Sequence, residues 1–307
     1  MLWKDGCRGL GIDIDIGIRI AHRVHRRRRD HPGARVGDRP VDCHGDPHGT
    51  REGALVYLCT GRSAGDLHPD VRAIGFDGAI TNGGAFATRG GEALLSHPMP
   101  RDDVDHLVSY LEAHGIEFTL QSNERVYAST GIFEMMSEFA RVGAERRAED
   151  LRRIGVEPTS DGLLHSVIAD AATRWLPLAA ADLDTVAKAV FVSTRSDDVD
   201  RLQADLGERF HVIPGSIPLP GGSNGEISPA GITKGAAILQ VLAILDRPAT
   251  EAIGIGDSWN DVEMFDVCGV SVAMAGADPE LQARADRVTT GVLDDGVWNA
   301  FVELGLV

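Results

Sequence analysis

The chain has almost no lysine: Lys4, Lys188 and Lys234 stand against 27 arginines in 307 residues. It also lacks net positive charge, carrying −16. That balance opposes nonspecific nucleic-acid binding, because phosphate-rich partners are repelled outside any local basic patch. A small anionic substrate would then need a dedicated local device such as a metal ion. Cysteine is scarce too, and Cys7, Cys43, Cys59 and Cys268 show no paired spacing, which argues against a disulfide framework and a zinc site. No apolar run approaches bilayer length. The start "MLWKDGCRGLGIDIDI" has no basic segment followed by a long apolar stretch and a small-residue cleavage site. The expectation is a cytoplasmic protein with no membrane partner.

What is present is the composition of a globular protein, 43% hydrophobic and 25% charged. The length predicts two domains, or one domain with a large insert. Short β-rich runs ending in Gly, Asp, Thr or Asn recur at "LGIDID", "ALVYLCTG", "GAITNGG" and "EAIGIGDS". Helical patterns follow several of them, as in "KGAAILQVLAILD" from Lys234 and "NDVEMFDVC" from Asn260. Strands alternating with helices predict an α/β fold with a parallel sheet, whose ligand sits beyond the carboxyl ends of the strands. Between about Phe86 and Gly225 the pattern changes to amphipathic helices, "DVDHLVSYLEAHG" and "DDVDRLQADLGERF", among strands such as "IEFTLQS" and "KAVFVST". This reads as a separate α+β unit, with the Pro/Gly/Ser-rich residues 214–225 as the linker back to the first domain.

The polar residues cluster at the predicted strand tips. "IGIGDSWNDVEMF" (residues 253–265) stops a strand at Gly256 and presents Asp257, with Asn260 and Asp261 opening a helix. Such residues also cap free helix N–H groups, so a capped turn is the plain alternative. Asp13 and Asp15 end another apolar run, and carboxylates converging at neighbouring tips repel unless a hard cation holds them. Magnesium fits best, because it takes one or two carboxylates, waters and a substrate phosphate. Thr60 and the Gly61 backbone can donate to a phosphoryl oxygen. Lys234 starts a helix, where the positive end of the dipole disfavours a cation, so its charge needs a functional reason. Asn82 and Gly83 stand at a fourth strand end.

In order, Asp13-Ile-Asp15, Thr60-Gly61-Arg62, Asn82-Gly83, Lys234-Gly235 and Gly256-Asp257-x-x-Asn260-Asp261 resemble the haloacid dehalogenase-like phosphatases, and within them the Cof-type subclass IIB. The resemblance runs from Leu55 to the C-terminus and includes "SVAMAGADPELQARADRVTT" and "DDGVWNAF". It implies a Rossmann-like parallel sheet core (residues 1–85 and 226–307) with an inserted α+β cap domain (86–225). Asp13 would be the nucleophile forming an aspartyl-phosphate, Asp15 the acid and then the base, and Thr60 and Lys234 the phosphoryl-binding catalytic residues. Gly61, Arg62, Asn82, Gly83 and Asn260 would contact substrate. Magnesium would be held by Asp13, Asp15 (through its carbonyl) and Asp257, with Asp261 completing the metal set alongside Asn260. The implied activity is magnesium-dependent hydrolysis of a small phosphorylated metabolite, either a sugar phosphate or a phosphorylated cofactor. A phosphomutase of the same fold, or a noncatalytic phospholigand or polyanion binder, are the alternatives.

The chain departs from this pattern after Asp15. The family's Asp-x-Asp-Gly-Thr, flap and amphipathic helix are replaced by "DIDIGIRIAHRVHRRRR". Residues 22–53 hold eight Arg, five His and only five apolar residues, too few to build a helix or strand face. Eight Arg against five acids give this tract a local charge of +3. The excess of Arg over Lys indicates a GC-rich gene, and such a gene read out of frame yields mostly Arg, Pro, Gly, Ala and His. The tract therefore fits compensating frame slips near Ile16 and Gly53 better than a native basic loop.

Overall fold

The computed structural model describes residues 19–20, 54–138, 141, 174–215, 219 and 221–307. Asp13, Asp15 and the whole arginine-rich tract, residues 22–53, lie outside these residues. Among the described residues no helix is long and apolar enough to cross a membrane.

Two sheets organise the chain. The first has the order β14 (Arg287–Val288), β13 (Val270–Ala273), β12 (Ala252–Gly256), β1 (Arg19–Ile20), β2 (Leu55–Cys59), β3 (Gly78–Thr81), β4 (Phe86–Arg89), β5 (Glu92–Ser96). Its β2–β3 and β12–β13–β14 pairs are parallel, as the alternation of strand and helix predicts. β4 and β5 extend it as antiparallel hairpins. β1 fills the slot between β2 and β12 with two residues, antiparallel to both. The second sheet has the order β10 (Phe210–Pro214), β11 (Ser223–Pro229), β9 (Lys188–Ser193), β6 (Glu117–Gln121), β7 (Val126–Ala128), β8 (Leu176–Pro177).

Helices cover both faces of the first sheet, completing the α/β architecture. They are α1 (Pro69–Ala73), α4 (Lys234–Ile244), α5 (Val262–Val267), α6 (Pro279–Arg284) and α7 (Gly296–Glu303). Ala237, Ile238, Val241 and Leu242 of α4 pack on Tyr57, Cys59 and Ile80. Val297 and Ala300 of α7 pack with Ile253, Ile255 and Val272, the alternate residues of β12 and β13. The second sheet is covered on one face by α2 (Arg101–Ala113) and α3 (Asp198–Leu206). In α2 the spacing of Val104, Leu107 and Leu111 puts all three on one buried stripe, and Asp102 and Asp103 sit in the first turn, where the helix dipole favours acids.

The expectation of a linker at residues 214–225 is corrected here. Pro214 ends β10, and Ser223, Asn224 and Gly225 begin the seven-residue β11. The glycine that suggested a loop is required by packing instead: a Cβ at Gly225 would lie 2.5 Å from Cε1 of Phe191 on the neighbouring strand. β4 and β5, which fall within the 86–225 stretch, hydrogen-bond onto the first sheet.

Candidate active site

The carboxyl ends of β2, β3 and β12 and the start of α4 meet at one edge of the first sheet. At the tip of β2, the Thr60 N–H donates to Ile80 O (2.9 Å) and Thr60 O accepts from Gly83 N–H (3.1 Å), while Asn82 N–H donates to Arg62 O (2.8 Å). These bonds lock the Thr60-Gly61-Arg62 and Asn82-Gly83 turns together. Asn82 takes a left-handed φ of 52°, which the short amide side chain tolerates better than most residues. Thr60 is buried, and its Oγ1 accepts from the Arg62 N–H at 3.1 Å, so the hydroxyl proton remains to be donated.

Lys234 occupies the first turn of α4, whose N-cap is Thr233 Oγ1 accepting from Ala236 N–H (3.2 Å). Its side chain is 1% exposed, and Nζ donates to Asn260 Oδ1 (2.6 Å) and Asp261 Oδ1 (2.8 Å). Those acceptors explain how a cation is tolerated at the positive end of a helix. Asp261 is fully buried, and its Oδ2 also accepts from the Asp257 and Ser258 N–H groups at 3.0 and 3.1 Å. Both oxygens are thereby engaged, one by the helix cap and one by Lys234.

The structure thus brings Thr60, Gly61, Arg62, Asn82, Gly83, Lys234, Asn260, Asp257 and Asp261 to one edge of the sheet. Asp13 and Asp15 lie outside the described residues. Asp257 is half-buried at the tip of β12. Among the described residues no group of three or more His, Cys, Asp or Glu gathers that could hold a metal ion; the carboxylates at the tip of β12 are Asp257 and Asp261, oxygen donors of the kind magnesium takes. Asp257 stands at the tip itself, and Asp261 is engaged by the loop and by Lys234.

Residues of the second sheet that the sequence pattern does not single out also face this edge. Lys188 Nζ lies 2.7 Å from Glu226 Oε2. Burial works to raise the Glu226 pKa, but the ammonium of Lys188 and the more distant Lys234 and Arg62 outweigh it and hold the carboxyl below its usual range. Burial lowers the Lys188 pKa, and Glu226 pulls against that effect. His211 of β10 meets Glu263 of α5 at 3.2 Å, and that partner raises the imidazole pKa. Lys188 is noticeable in the sequence only as one of three lysines. Glu226 directly follows the segment 214–225 whose composition reads as a linker, and nothing in the sequence pattern marks it.

The comparisons with known proteins agree with this geometry. A family model described as haloacid dehalogenase-like hydrolase matches residues 50–301. The 5-amino-6-(5-phospho-D-ribitylamino)uracil phosphatase YwtE of Bacillus subtilis is 25% identical over 248 residues, covering 80% of this chain and 84% of its own. Some other curated relatives are matched over much less of their length, down to 24%. A haloacid dehalogenase-like hydrolase structure from B. subtilis superposes with TM-score 0.64 at 20% identity, covering 82% of this chain and 87% of that one. The subclass IIB sugar phosphatase BT4131 gives TM-score 0.60 at 17% identity over 82% and 85%. With more than half its length matched and its strand tips arranged in this way, the chain belongs to the haloacid dehalogenase-like hydrolases.

Proposed function

We propose that this protein hydrolyses phosphomonoesters of small metabolites with magnesium as cofactor. The observation that carries the reading is the buried Lys234 ammonium, held by Asn260 and Asp261 at the strand tips, where a Cβ at Gly61 would come 3.1 Å from the same Asn260. A positive charge fixed in advance where a phosphoryl dianion would sit stabilises the extra charge of phosphoryl transfer. Thr60 donates its hydroxyl proton to a phosphoryl oxygen, with the Gly61 and Arg62 backbone beside it. Asn260 holds Lys234 in place, and Asn82 and Gly83 close the other side. Asp13 would attack phosphorus to form the aspartyl-phosphate, and Asp15 would protonate the leaving oxygen and then take a proton from water. Asp257, together with Asp13 and the Asp15 carbonyl, would hold magnesium, whose charge offsets that of the carboxylates and the phosphoryl group. Asp261 acts on that cation through the loop it caps.

The second sheet acts in this reading as the cap that covers the site and excludes water. We take the cap as about residues 97–229, a reading supported by the hydrogen bonding: β6 to β11 pair with one another, whereas β4 pairs with β3 and β5 with β4. A sugar phosphate is favoured as substrate by the sugar phosphatase neighbour. The test is phosphate release from a panel of phosphomonoesters with magnesium or with a chelator. Release that depends on magnesium is expected; release that survives chelation would sink the metal-assisted mechanism.

A further outcome concerns Asp257. In Asp257→Ala the magnesium concentration for half-maximal activity should rise about tenfold or more, because one metal ligand is lost, while the melting temperature changes little. Metal titration and a thermal melt read these separately. Collapse of the melt with unaltered metal dependence would make Asp257 a structural cap.

A further inference from the structure

One turn of the second sheet is fastened to the strand tips of the first. Residues 122–125 join β6 to β7, and the Ser122 N–H donates to Arg125 O at 2.9 Å to close that turn. It meets the first sheet at three points. Thr81 Oγ1, at the end of β3, donates to Asn123 Oδ1 at 3.0 Å. Asn82 Nδ2 donates to Ser122 O at 3.2 Å. The Gly65 N–H, in the short helical turn Ala64–Asp66 after β2, donates to Asn123 O at 3.0 Å. All three donors belong to the first sheet's tips and all three acceptors to the turn, so the turn docks as one unit. Beside Gly65, Asp66 is paired by Arg174, which precedes β8 of the same second sheet.

Gly65 shows that this approach is written into the chain. A Cβ there would lie 1.9 Å from Glu124 O, yet Gly65 is not among the residues with a positive φ. Glycine at 65 therefore serves the docking of the turn and not the local backbone conformation. Thr81 and Asn82 are 4% and 0% exposed, and a buried donor that loses its acceptor is costly. The bond from Asn82 also fixes an orientation: an amide held by its Nδ2 cannot exchange ends without setting its oxygen against Ser122 O. Asn82 lines the cavity shared with Lys234 and Asn260. The docked turn thus decides which end of the amide that cavity receives.

We propose that Asn123 is a positioning residue: by docking the 122–125 turn on Thr81 and Gly65 it fixes the Asn82 amide at the phosphoryl site, although residues 122–125 do not line the cavity. This rests on the phosphomonoester reading above. Asn82 is held whether the bound group is substrate or transition state, so loosening it removes binding that both share. Such a loss raises KM and leaves kcat. Damage to the fold would instead lower the amount of working enzyme and reduce kcat at constant KM.

The test joins peptide-resolved hydrogen exchange of the full chain without ligand to phosphate-release kinetics on para-nitrophenyl phosphate in magnesium. In Asn123→Ala, exchange of residues 61–67 and 79–84 should quicken about fivefold, the effect of one hydrogen bond, while α4 and β12 exchange as in the parent. KM should rise at least about threefold with kcat within about twofold. Asn123→Asp keeps the acceptor for Thr81 and should behave as the parent. Gly65→Ala pushes the turn away and should raise KM at least about tenfold, with the magnesium requirement unaltered because Asp257 sits on another loop. If Gly65→Ala does not fold, the Asn123 pair carries the test. Unchanged exchange in both segments, quickened exchange throughout the chain, a fall in kcat at constant KM, or equal damage from Asn123→Asp and Asn123→Ala overturns the proposal. The two readings separate cleanly. A parent that releases no phosphate sinks the hydrolase, and calorimetry with inorganic phosphate then reads the same loss of affinity in Asn123→Ala; release with KM and exchange unmoved in the variants sinks the positioning role alone.

Discussion

Replacing Lys234 by methionine should lower stability by about 3–5 kcal/mol and cut phosphate release by at least about a hundredfold. Lys234 and Asp261 are 1% and 0% exposed and lie 2.8 Å apart. Asp261 accepts two backbone N–H groups on its other oxygen, and those bonds stay when its partner is removed. Methionine fills much of the same volume but leaves that charge buried and unpaired, which costs far more than the net worth of the pair. The double variant Lys234→Met/Asp261→Asn removes the orphaned charge and keeps an oxygen for the Asp257 and Ser258 N–H groups. It should recover much of the stability and none of the activity. Denaturant unfolding and phosphate release measure the two effects. Activity that returned along with stability in the double variant would make Lys234 a structural cation and withdraw its role at the phosphoryl group.

Lys234 also shows why part of this site is legible in the sequence. A cation at the start of a helix contradicts the local rule, and a contradiction of that kind marks a place where something else decides. The strand tips at Cys59, Thr81 and Gly256 are equally readable, because apolar runs that end in Gly, Asp, Thr or Asn turn in predictable ways. Asp261 is ambiguous for a physical reason: a carboxylate that caps a turn and one that ligates a cation have the same spacing from the strand. In the folded chain it caps the turn and pairs with the lysine. Glu226 and Lys188 could not be found, since they meet the site only through the pairing of β9 with β11, 38 residues apart in sequence. Alternation along a strand tells which residues share a face, but not what that face looks at. Composition misleads at 223–225, where a glycine that serves close packing against Phe191 imitates a linker.

Replacing residues 16–53 with a Gly-Thr turn, a short flap and an amphipathic helix, while keeping Asp13 and Asp15, should raise both stability and activity. The reasoning begins with strand direction. Thr60 and Asp257 follow the carboxyl ends of β2 and β12, and a strand that delivers Asp13 and Asp15 to the same edge must run parallel to both. The slot between β2 and β12 is held instead by Arg19–Ile20, antiparallel to each neighbour. An antiparallel strand sends its carboxyl end to the opposite edge of the sheet. A Gly-Thr turn after Asp15 would let "GIDID" itself take that slot in the parallel sense, completing the parallel order from β14 to β3. Apolar burial stabilises at roughly 25 cal/mol per Å², whereas ordering a residue costs about 1–2 kcal/mol. Five apolar residues in the 32 of the arginine-rich tract give little return on that scale, so removing residues 24–50 should leave the melting temperature nearly unchanged. An amphipathic helix would add a buried face. Asp13→Asn in the repaired chain should then abolish phosphate release, because an amide is a poor nucleophile and a weaker metal ligand. Thermal melts and phosphate release on the parent, the deletion, the repaired chain and its Asp13→Asn variant decide the matter. An activity present in the parent and lost on repair would make the arginine-rich tract a working part of the protein and sink the idea of a frame-slipped segment.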